Sequence, residues 1–236
     1  MIDSGRVKQL AIDLGADLCG VAPVERFDLA PKGFHPKDLF PEARSAVVIA
    51  KRMPEGAFCC AGSAIPYSVA TRAILMEVTR ISCLLSAQIE RLCDAVALPV
   101  PTEPYECWDE ERREGRALLS FKHAGWLAGL GVLGKNTLLV NGRYGNRLGL
   151  GVVLIDAELE GDPIIASSFC SPACRLCLDT CPAGALNGTS VNQKLCRGRC
   201  EGKTKKNEPL YTCNACRKVC PNGTGVRVIS ESRHLH

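Results

Sequence analysis

The chain has 236 residues, of which 46% are hydrophobic, enough for one large domain or two smaller ones with packed cores. Its net charge of +4 comes from 29 basic and 25 acidic residues, a balance too mild to indicate nucleic acid as a partner. The first residues carry no export signal, and no apolar run reaches the roughly eighteen residues of a membrane span, so we expect a cytoplasmic protein with no membrane partner.

The first half of the chain predicts helices that alternate with short buried strands. We expect a first helix capped by Ser4 and ended by Gly15, because apolar residues recur at helical spacing between them. Strands are expected over residues 18–22 and 45–50, separated by a loop rich in proline, glycine and charge. A later apolar run predicts another strand over 148–156.

A second helix is predicted over residues 67–97, the longest helical pattern in the chain. Its apolar stripe consists of Val69, Ala73, Met76, Ile81, Leu84, Leu85, Ile89 and Leu92. We expect Cys83 and Cys93 within this helix to be core residues. The adjacent Cys59 and Cys60, on the preceding loop, are also expected to be buried small residues rather than reactive thiols.

The segment 103–116 is dense in charge and carries Tyr105, Cys107 and Trp108 between its charges. The proline-rich residues 98–101 separate it from the long helix. It predicts a solvated loop or short helix, and its aromatic residues leave open the alternative of a lid over a site.

A glycine-rich stretch around Gly129, Gly131 and Gly134 imitates two nucleotide-binding motifs. Gly-x-Gly-x-x-Gly is typical of dinucleotide binding and Gly-x4-Gly-Lys of a P-loop, but both need a strand before the glycines and a helix after them. Here a helical segment precedes them and a strand-like run over 137–140 follows, and Asn136 replaces the Ser or Thr that binds magnesium. We therefore reject both motifs and expect the glycines to let the backbone approach a flat ligand closely.

Nine of the fifteen cysteines lie between Cys170 and Cys220. Two runs, the first over residues 170–182 and the second over 213–221, each end in Cys-x2-Cys-x3-Cys-Pro. This matches the bacterial ferredoxin pattern, where the cysteine before proline ligates the cluster of the other run. Three thiolates on a tight turn can hold three corners of an iron–sulfur cube, while the fourth corner needs a thiolate from elsewhere in the chain. The proline then turns the chain away.

This pattern predicts two [4Fe–4S] clusters with crossed ligands. The first cluster takes Cys170, Cys174, Cys177 and Cys220. The second takes Cys181, Cys213, Cys216 and either Cys196 or Cys200. Structural zinc, which also uses paired Cys-x2-Cys knuckles, fits the two Cys-x3-Cys-Pro endings poorly. Disulfides would require an oxidising compartment, for which the sequence gives no sign.

The glycine-rich stretch and the cysteine runs together resemble the epoxyqueuosine reductase family and its relatives, the reductive dehalogenases. The matching residues, beside the cysteine runs, are the segments 122–124, 128–139, 144–147 and 153–159. The resemblance extends over residues 5–225. It implies an α/β (α+β) nitroreductase-like core over residues 1–160 that binds a corrinoid. It also implies a bacterial ferredoxin-like module over residues 161–236 that feeds the core electrons from two [4Fe–4S] clusters.

The resemblance also implies site residues. Cofactor-binding roles fall on Gly129, Gly131, Gly134, Lys135, Asn136 and Thr137. We expect His123 to be a proton donor near the pocket, since an imidazole titrates near neutrality; the alternative is a histidine hydrogen-bonded at the domain interface. In the related enzymes the eighth thiolate follows the first run by a linker of this length. This favours Cys196 over Cys200, which we expect on a more polar, exposed loop.

The chain departs from the resembled tRNA enzyme in its acidic segment. That enzyme carries Asp-x-x-Pro-x-x-Glu about fourteen residues before the first glycine of the loop, where this chain has Gly115, Arg116, Ala117 and Leu118. The helical-repeat extension and the secretion signal of the two resembled families are also not expected here. We therefore expect a short paralogue that acts on a small molecule other than epoxyqueuosine in tRNA.

Three functions remain open from the sequence. The first is a corrinoid-dependent reductase that takes electrons from an external low-potential donor, a ferredoxin or flavodoxin. The second is a non-enzymatic electron carrier whose core binds no corrinoid. The third is a flavin reductase, because nitroreductase-like folds commonly hold FMN.

Overall fold

The computed structural model describes residues 3–103, 105–111 and 114–226; the last ten residues of the expected second domain lie outside these ranges. The helices are α1 Ser4–Asp13, α2 Ile65–Leu92, α3 Phe121–Leu127, α4 Leu176–Asp179, α5 Gln193–Cys200 and α6 Ala215–Lys218. The longer strands are β1 Leu18–Pro23, β2 Ser45–Arg52, β3 Ala97–Val100 and β8 Leu148–Ile155. The short strands are β4 Cys107–Asp109, β5 Glu114–Arg116, β6 Val132–Leu133, β7 Leu139–Val140, β9 Glu201–Lys203 and β10 Pro209–Tyr211. Short 3-10 turns cover Val24–Leu29, Pro36–Asp38 and Glu55–Phe58.

The core is a four-stranded antiparallel sheet with the strand order β1-β2-β8-β3. The predicted strands over 18–22, 45–50 and 148–156 are confirmed as β1, β2 and β8. The central pair is in register from Ser45 opposite Ile155 to Arg52 opposite Leu148. The fold is therefore a mixture of helices and an antiparallel sheet.

Both faces of the sheet are covered, and the central strand β2 shows why. Its side chains alternate between faces, as strand geometry requires. Ala46, Val48 and Ala50 join the cluster that includes Leu127 of α3. Val47 and Ile49 instead pack with residues of α1 and α2. A continuous apolar run is what a strand buried on both faces needs.

The first helix is confirmed, but its predicted cap is wrong by one residue. Asp3 is the N-cap, and its carboxylate accepts a hydrogen bond from the Arg6 amide at 2.8 Å. An aspartate in this position satisfies an otherwise unpaired amide of the first turn. Ser4 is already the first helical residue.

The long helix α2 exists, but its predicted apolar stripe is largely wrong. Ile81, Leu85 and Ile89 are buried as expected, whereas Val69 and Met76 are exposed. The remaining exposed members of the predicted stripe are Ala73, Leu84 and Leu92. The buried face instead includes Ser68, Ser82 and Ser86. Small residues are needed there because the helix crosses β8 closely: a methyl group on Gly151 would lie 2.7 Å from Ser82 Oγ.

Three cysteines expected in the core lie on the surface. Cys59 and Cys60 are exposed on the loop before α2, and Cys83 is exposed on the outer face of α2. Cys83 comes one residue after the buried Ser82, so it lies on the side of α2 that faces away from the sheet. Cys93 is half-buried and packs against the core as predicted.

The cysteine-rich part follows the core and packs against it near the start of α2. Tyr211 of β10 contacts the small cluster formed by Met53, Phe58 and Tyr67. Its amide donates a hydrogen bond to Ser68 Oγ at 2.9 Å. Among the helices of the described ranges, none combines the length and the hydropathy needed to cross a membrane.

Candidate metal centre and the adjoining core loop

The cysteines of the two runs form two mixed groups. Burial raises the pKa of Cys220, and its proximity to Cys170, Cys177 and Cys174 raises it further. Cys220 therefore stands with the three thiols of the run to which it does not belong. This is the grouping that the Cys-x3-Cys-Pro endings predict for the first cluster.

The second group also joins thiols from separate segments. Burial raises the pKa of Cys216 to about 11, the nearby Arg217 opposes this, and Cys213, Cys196 and Cys181 raise it. Cys181, the last cysteine of the first run, thus lies with two thiols of the second run and one from α5. Its sulfur accepts a hydrogen bond from the Ala185 amide at 3.3 Å.

A cavity of ≈ 270 Å³ lies inside the first group. Its lining includes all four cysteines of the group, Cys170, Cys174, Cys177 and Cys220. It also includes Lys135, Asn136 and Val140 of the glycine-rich stretch 129–140, called the core loop below. This space exceeds what one metal ion requires and is framed by four soft donors, the ligand type that iron–sulfur clusters use.

Within residues 3–103, 105–111 and 114–226, no three His, Cys, Asp or Glu side chains are grouped as one metal ion would require. A cluster binds each of its four thiolates to a different iron, so its ligands stand farther apart than those of a single ion.

Cys196 and Cys200 lie one turn apart on α5, so both face the same side of the helix. The neighbouring Cys200 thiol lowers the pKa of Cys196 to about 7. Asn192 caps the helix by accepting a hydrogen bond from the Leu195 amide at 3.1 Å. Cys200 is half-buried, as Cys196 is, so its predicted exposed position is wrong. A helix, rather than an open linker, presents Cys196 to the second group.

The charged segment, predicted as a solvated loop or short helix, instead forms the paired strands β4 and β5, so that prediction is wrong. These strands rest on the same helix, α5. Arg197 stacks on Tyr105 and Trp108, with its guanidinium 4.8 and 4.9 Å from their ring centres. Gln193 exchanges two hydrogen bonds with the Gly115 backbone, at 3.0 and 3.2 Å. The aromatic residues thus bind the cysteine-bearing helix, a contact that sequence spacing could not indicate.

The glycines of the core loop pack against the chain's own backbone. Gly129 has φ +71° after α3, and a methyl group there would lie 2.5 Å from the Pro163 carbonyl oxygen. Gly131 is pressed against the Val140 carbonyl in the same way. As the sequence predicts, a helix, α3, precedes Gly129 and a strand, β7, follows Gly134, which is not the order that either nucleotide motif requires.

Lys135 and Asn136, which follow the last glycine of the loop, form hydrogen bonds with the two cysteine runs. Lys135 Nζ donates to the carbonyl oxygens of Ser171, Pro172 and Cys174, at 3.1, 2.6 and 2.9 Å. Asn136 Nδ2 donates to the Cys216 carbonyl oxygen at 3.3 Å. In this structure their donors are directed at protein carbonyls beside the thiols.

Thr137, the last of the predicted cofactor-binding residues, has φ +63° and is buried. A β-branched residue in the left-handed region is a true outlier, and such strain clusters at functional sites. Its amide donates to the Gly134 carbonyl at 2.8 Å, which closes the turn that carries Lys135 and Asn136.

His123 lies on α3, the helix that leads into the core loop. In sequence it is well before the cysteine runs. Its Nδ1 shares a hydrogen bond with Ser120 Oγ at 2.6 Å. Burial lowers the pKa of His123 to about 4, and the positive charge of Lys122 lowers it too. The imidazole is therefore neutral at pH 7, and proton donation would require a nearby negative charge to raise its pKa.

Two further buried residues, Asn146 and Arg147, are not among the site residues predicted from the sequence. Among the residues that the structure describes, the amide of Asn146 and two nitrogens of Arg147, Nε and Nη1, are buried and have no hydrogen-bond partner. Arg147 lies 4.3 Å from the Phe58 ring centre, and Arg217 of the second run donates to the Asn146 carbonyl. The segment Tyr144-Gly-Asn-Arg147, which carries part of the family resemblance, was the signal that marked them.

Comparison with known proteins supports the resemblance. No family model matches the chain. Epoxyqueuosine reductase of Lactococcus garvieae (strain Lg2) is 34% identical over 119 residues, which cover 46% of this chain and 32% of that protein. The chain thus spans about a third of the length of this curated relative.

Two solved structures share the fold at lower identity. A crystal structure of epoxyqueuosine reductase with an epoxyqueuosine-modified tRNA stem loop has a TM-score of 0.64 at 21% identity and covers 98% of this chain and 67% of that one. A reductive dehalogenase, described with a mechanism for B12-dependent dehalogenation, has a TM-score of 0.68 at 19% identity, over 91% of this chain and 31% of that one. The predicted resemblance to epoxyqueuosine reductases and reductive dehalogenases is therefore confirmed.

Proposed function

We propose that this protein is an iron–sulfur reductase that carries electrons through two [4Fe–4S] clusters to an acceptor in its N-terminal core. The observation that carries the proposal is the crossing of the thiols. Cys220 lines one cavity with the first run's Cys170, Cys174 and Cys177. Cys181 and Cys196 are near enough to Cys216, with Cys213, to raise its pKa. Exchange of the cysteine before proline is the arrangement of two-cluster ferredoxins.

In this proposal residues 161–236 form a bacterial ferredoxin-like module and residues 1–160 a nitroreductase-like core. The cavity of the first group borders the core residues Lys135, Asn136 and Val140, so a first cluster bound there would lie against the core. The second group includes Cys196 of α5, the helix on which the paired strands β4 and β5 rest. We infer that an external low-potential donor, a ferredoxin or flavodoxin, delivers electrons to the second cluster, and that the first passes them inward.

A corrinoid is the acceptor we propose to test first, since a protein of the same fold is described as B12-dependent. A bound corrinoid would supply a cobalt centre for two-electron reduction. The predicted corrinoid-binding set fits it poorly in this structure, because Gly129 and Gly131 contact backbone and Lys135 and Asn136 bind protein carbonyls. FMN is the alternative acceptor, and we derive no step through either.

The substrate we propose is a small molecule other than tRNA. Its support is the segment before α3, where Gly115 and its neighbours replace the acidic residues of the resembled tRNA enzyme. In the structure Gly115 belongs to β5, its backbone is hydrogen-bonded to Gln193, and the carboxylate beside it in the strand is that of Glu114, which precedes it.

The same poor fit favours a second candidate, a ferredoxin-type electron carrier with an empty core. His123, the expected proton donor, is held neutral by burial, and the loop donors are engaged with the cluster-binding runs. Under this candidate the core serves as a scaffold for the clusters.

Anaerobic reconstitution with iron and sulfide tests the cluster proposal. We expect about eight irons and eight acid-labile sulfides per chain, from two clusters of four irons. About four irons, or tightly bound zinc in their place, would exclude two clusters. Titration of the reconstituted protein with cobalamin and, separately, with FMN then separates the functions: a saturable absorbance change at micromolar ligand supports the reductase. No change with either ligand leaves the carrier.

A further inference from the structure

Lys135 lies at the centre of the first cysteine run. Its ammonium nitrogen makes three hydrogen bonds, to the carbonyl oxygens of Ser171, Pro172 and Cys174. An ammonium has three N–H donors, so this geometry uses all of them. The three carbonyls belong to the turn between Cys170 and Cys177, and Lys135 also lines the cavity among the thiols.

Asn136 reaches the other run from the next position in the chain. Its Nδ2 donates to the Cys216 carbonyl at 3.3 Å, and its Oδ1 accepts from the Leu138 amide at 3.2 Å. The side chain is only 3% exposed. One oxygen thus fixes the loop while the nitrogen holds the second run.

A tight turn in the loop backbone carries Lys135 and Asn136, whose side chains bond to different cysteine runs. Thr137 adopts φ +63°, and the Gly134 amide donates to the Leu138 carbonyl at 2.9 Å. Flanking strands β6 and β7 pair with Val132 opposite Val140. The dipeptide is therefore anchored between the paired strands β6 and β7.

We propose that Lys135 and Asn136 form a clip, in which Lys135 positions the first cluster's turn and Asn136 the second cluster's turn. This inference rests on the proposed function, because it assumes that the thiols hold clusters. It assigns both residues to the cluster module rather than to a cofactor in the core. Lys135 has a second effect, since a positive charge beside a cluster stabilises its reduced, more negative state and raises its reduction potential.

The test uses the reconstituted full chain, with each cluster followed by electron paramagnetic resonance during anaerobic redox titration. The first cluster's signal is identified as the one missing in Cys174→Ser, and the second's as the one missing in Cys216→Ser. In Lys135→Gln, which removes the charge but keeps a donor, we expect a more negative potential of the first cluster alone. In Lys135→Met we expect loss of that cluster, so that iron falls from about eight to about four per chain.

Two further variants complete the design. Lys135→Arg keeps the charge and the donors, so the first cluster and its potential should be retained. Lys51→Met is the matched control, because Lys51 also bonds a backbone carbonyl, that of Gly15 at 2.6 Å, but lies in the core strand β2. Its two cluster signals should equal those of the wild type.

For Asn136 the variant is Asn136→Asp, which keeps the acceptor for Leu138 and removes the donor to Cys216. We expect loss of the second cluster's signal. The inference is overturned if Lys135→Gln leaves the first potential unchanged, if Lys135→Met retains eight irons, or if Asn136→Asp retains the second cluster's signal. A wild-type chain that forms no clusters would instead contradict the proposed function, before any variant is made.

Discussion

Replacement of Gly129 by alanine tests whether the glycine loop is required by the chain itself. The residue has φ +71°, and an L-residue in the left-handed region costs about 1–2 kcal/mol. The new methyl group would also lie 2.5 Å from the Pro163 carbonyl oxygen, a backbone atom that no side-chain rotation can move. Overpacking of this kind costs about 1–3 kcal/mol, so we expect Gly129→Ala to destabilise the protein by about 2–5 kcal/mol.

The assay is urea unfolding of the protein without added cobalamin or flavin, followed by circular dichroism. Gly15→Ala is the matched control, because Gly15 also has a positive φ of +106° but its added methyl group would meet nothing closer than 3.9 Å. It should lose only the conformational part, about 1–2 kcal/mol. If Gly129→Ala costs no more than Gly15→Ala, the contact with Pro163 is not the reason for the glycine. A role in approaching a ligand would then regain support.

Two predictions concern single side chains near the proposed clusters. Cys196→Ser should reduce the iron content of the reconstituted protein by half, while Cys200→Ser should not. The reason is that Cys196 is among the thiols near enough to Cys216 to raise its pKa. Equal or reversed losses of iron would refute the assignment. His123 should contribute stability that is present above pH 6.5 and lost as the pH falls towards 4, because its folded pKa of about 4 lies below the ordinary 6.5 and the unfolded chain binds the proton more readily. Denaturant unfolding at several pH values checks this: His123→Gln should lose less stability than the wild type between pH 6.5 and 4, and parallel curves would contradict the lowered pKa.

The strands and the cysteine grouping could be predicted because local patterns determine them. The runs over 45–50 and 148–156 are continuously apolar, which a strand buried on both faces requires. The sets of thiols followed from the ferredoxin-like spacing, which fixes three ligands on one turn and leaves the fourth to the other run. Both are properties of short segments that the sequence displays directly.

The buried face of α2 could not be predicted because packing distance, not hydrophobicity, selects it. The helix lies so close to β8 that Ser82 meets Gly151, and bulkier residues would not fit there. Ser86 can be buried because its hydroxyl donates to the Ser82 carbonyl one turn earlier, at 2.9 Å. Hydrophobic periodicity therefore favoured Val69 and Met76, which the structure leaves exposed.

The contacts of the core loop were hidden from the sequence for a different reason. Lys135 and Asn136 bind segments 36 and 80 residues away, at Ser171 and Cys216. Nothing in the local motif indicates those partners, whereas its likeness to cofactor-binding loops suggested a ligand. The tertiary arrangement gives the two side chains a role in holding the cysteine runs.

Crossed ligation is the central claim, and Cys220→Ser tests it most directly. Each cluster's signal is recorded by electron paramagnetic resonance in the reduced, reconstituted protein, beside Cys174→Ser and Cys216→Ser as references for the first and second clusters. We predict that Cys220→Ser loses the signal missing in Cys174→Ser and retains the one missing in Cys216→Ser, although Cys220 and Cys216 belong to the same run. Loss of the signal that Cys216→Ser lacks would contradict the crossed arrangement and the proposal built on it.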